Sequence, residues 1–369
     1  MTVALGLLTV AIWAYLVFAH GFFWRAREAS PIPSPSRWPS VIAVVPARDE
    51  AEVVGRSIDS LLAQEYPGDF SIILVDDHST DGTAEAAGND PRLAVVSART
   101  LPPGWTGKLW ALSEGVRQVA ALPELYLFTD ADIEHHRTNL AELVARLEGE
   151  QRDLVSLMVK LRCKSFAERF LIPPFVFFFA LLYPFAWAND KRKSTAAAAG
   201  GCVLIRRSAY ERIGGYAAIK GALIDDCALA REVKRGGSIW LGLTDRTVSL
   251  RAYPRVADIW NMVARTAYTQ LHYSPLLLAG TVLGLLVTYL APPFLVLVGG
   301  ASVWFGLLSW VAMAAIYVPM LRLYRQSLFW APLLPVAALV YLAATVDSAW
   351  RYWRGRGGEW KGRVQWQGR

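Results

Sequence analysis

Two patterns of hydrophobic and polar positions divide the chain. Long, almost uncharged apolar runs lie near both ends, at residues 3–24, 276–298, 302–321 and 328–346. Between them, short apolar stretches alternate with segments whose apolar residues recur every three or four positions, which is typical of strands followed by amphipathic helices. The pattern predicts an α/β domain between membrane-associated ends.

The central region is predicted to alternate strands and helices. Predicted strands cover residues 41–46, 70–75, 93–96, 125–129, 153–159, 200–205 and 238–243. Predicted helices cover residues 50–64, 80–87, 108–121, 135–149, 206–213, 223–234 and 255–272. This alternation favours a doubly wound, mostly parallel sheet, which binds ligands at the carboxyl ends of its strands.

The first apolar run is predicted to be an uncleaved transmembrane anchor. A cleaved signal peptide begins with basic residues, whereas here Arg25 and Arg27 follow the run. The positive-inside rule then places the N-terminus outside and Arg25 inside.

The three C-terminal runs leave two topologies open. Arg322 and Arg325 indicate a cytoplasmic turn after the second run. If all three runs cross from the inside, the basic tail ends outside, against the positive-inside rule. Either the last run, which contains Pro332 and Pro335, re-enters on one side, or another run does not cross.

Composition and charge narrow the partners. The 369 residues are 54% hydrophobic and include 15 Trp, which fits a membrane protein with a soluble insert. The net charge is +7, and the last 19 residues hold six basic side chains and one acidic side chain. Such a tail favours anionic lipid headgroups or substrate phosphates over nucleic acid. Cys163, Cys202 and Cys227 lack metal-type spacing and are predicted to be reduced thiols in a cytoplasmic compartment.

Carboxylates gather at the predicted strand ends. Asp130 and Asp132 follow a buried strand, and side chains at i and i+2 of extended chain point to the same side. A pair of this kind suits a partly hydrated divalent cation that also binds substrate phosphates. The alternative is that both residues cap the following helix. Similar acidic loops at residues 46–50 and 76–81 favour a metal or nucleotide site along one sheet edge.

A second acidic pair opens a later helix. Asp225 and Asp226 lie in its first turn, where the helix dipole favours ionised carboxylates. A cap explains one of these acids but not both. A single membrane crossing by segment 166–187 would put Asp130 and Asp226 on opposite sides of the membrane. If the two residues share a site, this segment cannot be a single crossing. We therefore expect this proline-containing aromatic segment to be interfacial or re-entrant, with a buried core helix as the alternative.

Six short motifs in order carry a resemblance to a known family. They are Val-Pro-Ala-Arg-Asp-Glu at 45–50, Leu-Val-Asp-Asp-His-Ser-Thr-Asp-Gly-Thr at 74–83, Thr-Gly-Lys-Leu-Trp-Ala-Leu-Ser-Glu-Gly at 106–115, Thr-Asp-Ala-Asp at 129–132, Gly-Gly at 200–201 and Ile-Asp-Asp at 224–226. Residues 41–273 thus resemble a membrane-bound family 2 glycosyltransferase with a GT-A fold. The layout, with residues 261–270 and 358–363, is similar to the hopanoid-biosynthesis-associated branch and more distantly to ceramide glucosyltransferases.

The resemblance implies roles for individual residues. The residues expected to contact the nucleotide sugar are Pro46, Glu50, Asp76, Asp77, Lys108, Asp130 and Arg265. Asp130 and Asp132 would hold Mg²⁺ or Mn²⁺. Gly200, Gly201 and Asp225 would face the acceptor, and Asp226 would be the general base. Arg265 matches the Arg of the family's Gln-x-x-Arg-Trp motif, but Met262 and Thr266 replace its Gln and Trp.

The function that the resemblance implies is inverting transfer from a nucleotide sugar, a UDP-sugar by expectation, to a membrane lipid such as a hopanoid. A single base without a second nucleophile makes direct displacement the simpler scheme. A processive polysaccharide synthase and a non-catalytic nucleotide- or lipid-binding relative are the alternatives. The expected location is the inner (plasma) membrane, with a cytoplasmic catalytic domain. The sequence makes no prediction of the number of subunits.

The predicted domain organisation has five parts. They are a transmembrane anchor at 1–24, a proline-rich linker at 25–40, a GT-A domain at 41–273 with an interfacial segment at 166–188, transmembrane helices at 274–349 and a basic tail at 350–369.

Overall fold

A computed structural model describes residues 2–26, 32–119, 121–356, 359–360 and 363–364. The strands of its main sheet are β1 Val41–Ala47, β2 Phe70–Asp76, β3 Leu93–Ser97, β4 Leu125–Phe128, β5 Ile133–Glu134, β6 Leu154–Lys160, β7 Val203–Arg206 and β8 Ile239–Ser249. A separate short pair is formed by β9 Glu359–Trp360 and β10 Arg363–Val364. Residues 357–358, 361–362 and 365–369 of the predicted tail lie outside the described residues.

Helices surround the sheet and extend beyond it. Those of the central region are α2 Ala51–Leu62, α3 Thr83–Ala86, α4 Gly107–Arg117, α5 Asn139–Gly149, α6 Phe166–Leu182, α7 Phe185–Asn189, α8 Arg207–Arg212, α9 Asp225–Gly236, α10 Val256–Ala264 and α11 Ala267–Gln270. Those of the apolar ends are α1 Thr2–Phe18, α12 Pro275–Leu285, α13 Ala291–Val298, α14 Ser302–Leu323 and α15 Leu334–Trp353. A π-helical turn, Leu286–Leu290, joins α12 to α13, and 3₁₀ turns form at Gly215–Ile219 and Leu328–Leu333.

The main sheet is mixed, in the order β3-β2-β1-β4-β7-β6-β8-β5. The β3-β2-β1-β4 half is parallel throughout, and so is the β6-β8 pair. Strand β7 runs antiparallel to both β4 and β6, and β5 runs antiparallel to β8. The predicted α/β fold is confirmed, and the antiparallel pairings are features that strand–helix alternation does not reveal.

Alternating residues of the sheet pack into two cores. From β1, Val41, Ala43 and Val45 pack with the apolar faces of α2 and α5. Val44, between them, faces the opposite side and packs with residues of α4 and α9. This alternation follows from the two-residue period of a strand, and burial on both faces makes the strands almost continuously apolar.

Helix α6 lies between the sheet domain and the apolar helices. Leu171, Ile172 and Phe177 are fully buried, in a core shared with Leu241 of β8 and Tyr317 of α14. Its N-terminus is fixed by a capping box in which Ser165 and Glu168 satisfy each other's amides. The interior of α6 therefore has the character of a buried core helix, which was the alternative to the interfacial expectation.

Three C-terminal helical segments are long and apolar enough to span a membrane: Pro275–Val298, Ser302–Leu323 and Leu328–Trp353. Helix α1 has 17 residues and ends at Phe18, whereas the predicted apolar run extends to residue 24. It joins the C-terminal bundle through hydrogen bonds from Ser309 Oγ to Thr9 Oγ1 (3.1 Å) and from Trp13 Nε1 to Thr288 O (2.9 Å).

Candidate functional site

Lys108 joins the two acidic pairs that the sequence separates. It lies in the first turn of α4, whose N-cap Thr106 accepts the amide of Leu109. Its Nζ atom lies 2.9 Å from Asp130 Oδ1 and 3.2 Å from Asp225 Oδ2. Lys108 is thus an ordered member of the site and not a solvated helix residue.

The ion pairs set the charge of this cluster. Burial alone would lower the pKa of Lys108, but the carboxylates of Asp130 and Asp225 raise it above its ordinary value. Burial raises the pKa of Asp130, and Asp132 adds to this rise while Lys108 opposes it. Lys108 therefore stays a cation at neutral pH, paired with the carboxylates of Asp130 and Asp225.

Asp226 is held by backbone amides and not by a cation. Its Oδ2 accepts the amide of Gly200 (2.9 Å), and its Oδ1 accepts the amide of Cys227 (2.7 Å). Burial, together with the neighbouring charge of Asp225, raises the pKa of Asp226 to about 6. A carboxylate with a pKa just below neutrality is suited to accept a proton.

An open depression brings six of the twelve predicted site residues together. Its wall contains Pro46, Lys108, Asp130, Gly200, Asp225 and Asp226, with Tyr216 and Phe128 as aromatic surfaces. The carboxyl ends of β1 and β4 supply Pro46 and Asp130, as expected for an α/β sheet.

The two adjacent glycines serve different purposes. A Cβ atom on Gly200 would lie 3.0 Å from Lys108 Nζ and 3.5 Å from Asp226 Oδ2, so the missing side chain keeps the cation and the carboxylate accessible. A Cβ on Gly201 would instead meet Val159 and Ile133 at 3.0 and 3.3 Å. The structure therefore gives Gly201 a role in close packing.

Asp132 points to a different cation, one that sequence reasoning did not identify. Its Oδ2 accepts hydrogen bonds from Arg251 Nε (2.9 Å) and Ser249 Oγ (3.2 Å). The same guanidinium contacts Glu50. Arg251 follows β8, and the antiparallel β5–β8 pairing, with Ile133 opposite Ser249, carries it to Asp132. The sequence gives only a weak signal for this role of Arg251, namely its position just after β8.

A series of buried side-chain hydrogen bonds supports the loop that carries Asp130 and Asp132. Asn139 donates to His135, His135 contacts Thr129 Oγ1 at 2.9 Å, and Thr129 donates to the carbonyl of Gly201 at 2.7 Å. The N-cap of α5 is Thr138, so neither aspartate caps this helix.

The other predicted nucleotide residues lie around the end of β2. Asp77 is almost fully buried, with its carboxylate 3.6 Å from Arg48 Nη1. Asp76 accepts the amide of Ser79 at 3.3 Å, and Glu50 donates its amide to Thr83 Oγ1 at 2.8 Å. These contacts order the loops at one end of the depression.

Residues 42–214 match the family model described as glycosyl transferase family 2. This match covers the strands and loops that carry the site. The sheet domain is a family 2 glycosyltransferase domain.

Curated relatives of this glycosyltransferase domain include 4,4'-diaponeurosporenoate glycosyltransferases of Staphylococcus aureus. The protein of strain bovine RF122 / ET3-1 is 28% identical over 193 residues, which is 52% of this chain and 50% of the relative. That of strain USA300 is 28% identical over 189 residues, 50% of this chain and 49% of the relative. The chain spans about half the length of the curated relatives that it matches.

The glycosyltransferase fold also matches a solved structure along almost the whole chain. The mannosyltransferase of Pyrobaculum calidifontis, in complex with GDP-Man and Mn²⁺, is 21% identical, with a TM-score of 0.57. The match covers 96% of this chain and 100% of that chain. The likeness shows the fold, including the helices beyond the sheet domain.

Arg265 lies at the end of α10 and is not among the residues that line the depression. It is the C-cap of α10, where the predicted helix 255–272 divides into α10 and α11, and its side chain is exposed. Burial raises the pKa of Tyr253, while the charges of Arg251 and Arg265 lower it and that of Asp132 raises it. Tyr253 thus lies within electrostatic reach of all three charged groups.

The described residues contain no group of three or more His, Cys, Asp or Glu side chains placed to hold a metal ion. Asp130 and Asp132 nevertheless fit a cation that takes its other ligands from a diphosphate and water. One oxygen of each is committed, Asp130 Oδ1 to Lys108 and Asp132 Oδ2 to Arg251. The second oxygen of each has no hydrogen-bond partner within the described ranges, which leaves two hard donors.

Proposed function

We propose that the chain is an inverting glycosyltransferase that moves a sugar from a nucleotide sugar to a hydroxyl group of a membrane lipid. The observation that carries the proposal is the position of Asp226. This carboxylate, which is held by backbone amides, lies in one depression with Lys108 and Asp130. A proton acceptor and a cationic group for the leaving diphosphate thus share one cleft, as glycosyl transfer requires.

Lys108 and Asp226 are proposed to have different roles. Lys108, which pairs with Asp225 and Asp130 here, is proposed to contact the leaving diphosphate when the donor binds. Asp226, with its raised pKa, is left to accept the proton of the acceptor hydroxyl as that oxygen forms the new bond to the sugar. With one base and one displacement, the configuration at the sugar carbon inverts.

A divalent cation on Asp130 and Asp132 would supply further neutralisation of the diphosphate when bound. Within the chain, Asp130 and Asp132 would hold it through their uncommitted oxygens, and Arg251 would keep Asp132 in place. Pro46, Glu50, Asp76 and Asp77 are proposed to border the base and ribose, and Arg265 to approach the diphosphate from α10.

A lipid acceptor is supported by the surroundings of the base. Cys227, next to Asp226, belongs to the apolar core that contains α6 and the apolar helices. Tyr183, at the end of α6, donates to Gln270 of α11 at 2.8 Å, and the charge of Asp226 contributes to the raised pKa of Tyr183 after burial and Cys227. The apolar elements therefore lie close to the base.

The finer identity of the substrates is part of the proposal. The relatives from Staphylococcus aureus are named 4,4'-diaponeurosporenoate glycosyltransferases, and this name supports a lipid-like acceptor here. A hopanoid hydroxyl is the acceptor we propose, with a UDP-sugar as donor, at the cytoplasmic face of the inner membrane.

The test is transfer by the full-length protein in lipid nanodiscs. UDP- and GDP-sugars are supplied with a host lipid extract, with and without Mn²⁺, and products are analysed by mass spectrometry. We expect a glycosylated lipid from the wild type and a loss of more than about 10²-fold in Asp226→Asn, the scale typical of a general base. UDP binding by the variant should be unchanged.

The matched control is Asp245→Asn, which removes an acid whose ion pair to Arg325 lies outside the depression. Full transfer by Asp226→Asn would contradict the base assignment. Labelled polymer in place of labelled lipid would contradict the acceptor class.

A further inference from the structure

The last apolar segment, Leu328–Trp353, contacts the glycosyltransferase side of the molecule at both of its ends. It is one of the three segments that could span a membrane by length and composition. A segment that crosses has its two ends on opposite sides. The contacts of its ends therefore decide its topology.

The start of the segment lies beside the sheet domain. Tyr324 and Arg325 follow α14, and Tyr324 Oη accepts the amide of Leu161, just beyond β6, at 3.3 Å. Arg325 Nη2 lies 3.4 Å from Asp245 of β8. Trp330 packs against Phe166 in the first turn of α6, with ring centroids 5.7 Å apart.

The end of the segment lies beside α10 and α11, the short helices that follow the sheet. Trp260 Nε1 donates to Asp347 Oδ2 at 2.7 Å, and Arg351 donates to Asn261 at 2.9 Å. The amide of Tyr268 donates to Ser348 Oγ at 3.0 Å. Polar contacts of α15 with helices flanking the catalytic site place this end on the catalytic side.

The middle of the segment follows α6 and reaches part of the way along α14. Tyr341 Oη donates to the carbonyl of Leu171 at 2.7 Å. Trp310 of α14 donates to the carbonyl of Pro332 at 2.9 Å. Trp310 lies about 20 Å from the end of α14 at the helical rise per residue, which is less than the roughly 30 Å of a bilayer core.

The outer face of α15 is apolar at helical spacing. Val336, Leu339, Val346, Trp350 and Trp353 are 41–53% exposed, whereas Ala337, Ala338 and Ala344 on the inner face are buried. Tryptophans at one end of such a stripe are typical of the bilayer interface. The stripe thus fits the lipid bilayer as its partner.

We propose that Leu328–Trp353 enters the bilayer from the catalytic side and returns to that side without crossing. Segments Pro275–Val298 and Ser302–Leu323 then form the C-terminal crossing hairpin. This topology places the basic C-terminal residues on the side of the catalytic domain, in agreement with the positive-inside rule. It does not depend on the proposed substrates.

Cysteine labelling of the full chain in right-side-out and inverted vesicles tests this topology. The probe is a membrane-impermeant maleimide, in a background with Cys163→Ser because Cys202 and Cys227 are buried. Arg356→Cys reports the chain after α15. Arg37→Cys, at a side chain 73% exposed on the sheet domain, and Ala301→Cys, in the exposed turn between α13 and α14, are the references for the two sides.

We expect Arg356→Cys to be labelled in the same vesicles as Arg37→Cys and in the opposite ones from Ala301→Cys. Labelling of Arg356→Cys together with Ala301→Cys would overturn the proposal. A second measurement avoids any cysteine variant that does not fold: alkaline phosphatase fused after Arg369 should be inactive in cells, whereas fusion after Ala301 should be active. An active fusion after Arg369 would overturn the proposal equally.

Discussion

The guanidinium of Arg251 lies 2.9 Å from the carboxylate of Asp132, although 119 residues separate them. The loop that carries Arg251 is fixed on both sides. The amide of Leu250 donates to the carbonyl of Asp132 at 2.7 Å, and the amide of Tyr253 donates to Glu168 at 2.7 Å. Arg251 is thus a rigid support for one oxygen of Asp132 and leaves the other oxygen for a cation.

Replacement of Arg251 should weaken metal binding. Groups that orient a metal ligand typically contribute 10- to 100-fold to affinity, so we expect Arg251→Gln to lose roughly that factor for Mn²⁺ in the presence of UDP. Electron paramagnetic resonance of free Mn²⁺ measures this directly. Arg255→Gln, which removes an exposed arginine paired with Asp258, is the matched control. Tighter Mn²⁺ binding by Arg251→Gln would show instead that Arg251 competes with the metal for Asp132.

The pH profile of transfer should follow Asp226. Its carboxyl must be ionised to accept a proton, and its pKa is raised to about 6, so activity should fall as the pH drops through 6. Asp225→Asn removes the neighbouring negative charge that raises this pKa. The acidic limb of kcat/KM should therefore move to lower pH in that variant and stay in place in Asp90→Asn. An unmoved limb in Asp225→Asn would assign the acidic limb to another group.

Loss of Glu168 should destabilise the junction between the sheet domain and α6. Its buried carboxylate accepts the amides of Lys164, Ser165 and Tyr253 and an ion pair from Arg162. In Glu168→Gln, an amide NH₂ group must face some of these donors, which we expect to cost about 2 kcal/mol or more.

Thermal unfolding in detergent measures the effect of Glu168→Gln against Glu142→Gln. Glu142 is 46% exposed and pairs with Arg246 at the surface, where such a change costs about 0.5 kcal/mol or less. Equal unfolding temperatures for the two variants would show that Glu168 does not hold the junction.

His135 should make the folded protein sensitive to acid. Burial lowers its pKa to about 3, far below the roughly 6.5 of an exposed histidine. Between these two values the unfolded chain binds a proton that the folded chain does not, so this contribution to stability is full above pH 6.5 and is lost as the pH falls. The unfolding temperature of His135→Gln should depend less on pH between 6.5 and 4 than that of the exposed variant His136→Gln. Equal pH dependence in both variants would contradict this linkage.

Local pattern determined much of the architecture from the sequence. The strands β1, β2 and β4 form where short apolar runs predict them. The acids Asp76, Asp130 and Asp132 lie at or just after strand ends because the chain leaves the core there. The first-turn position of Asp226 also follows from sequence, since the helix period of residues 223–234 begins at that point. Periodicity and turn composition are local properties, which is why they are visible without the fold.

Three features required the tertiary structure. The antiparallel β5–β8 pairing brings Arg251 to Asp132, and a two-residue strand such as β5 has no readable pattern. Lys108 meets both acidic pairs because α4 points its first turn at the ends of β4 and α9.

The third feature is the set of contacts at both ends of Leu328–Trp353. Hydropathy records how apolar a segment is, but not which elements its ends contact. Sequence alone therefore supplied the chemical groups and the apolar segments of this protein. The tertiary structure decided which charges meet and which elements the ends of the last apolar segment contact, because both depend on pairings between residues far apart in the chain.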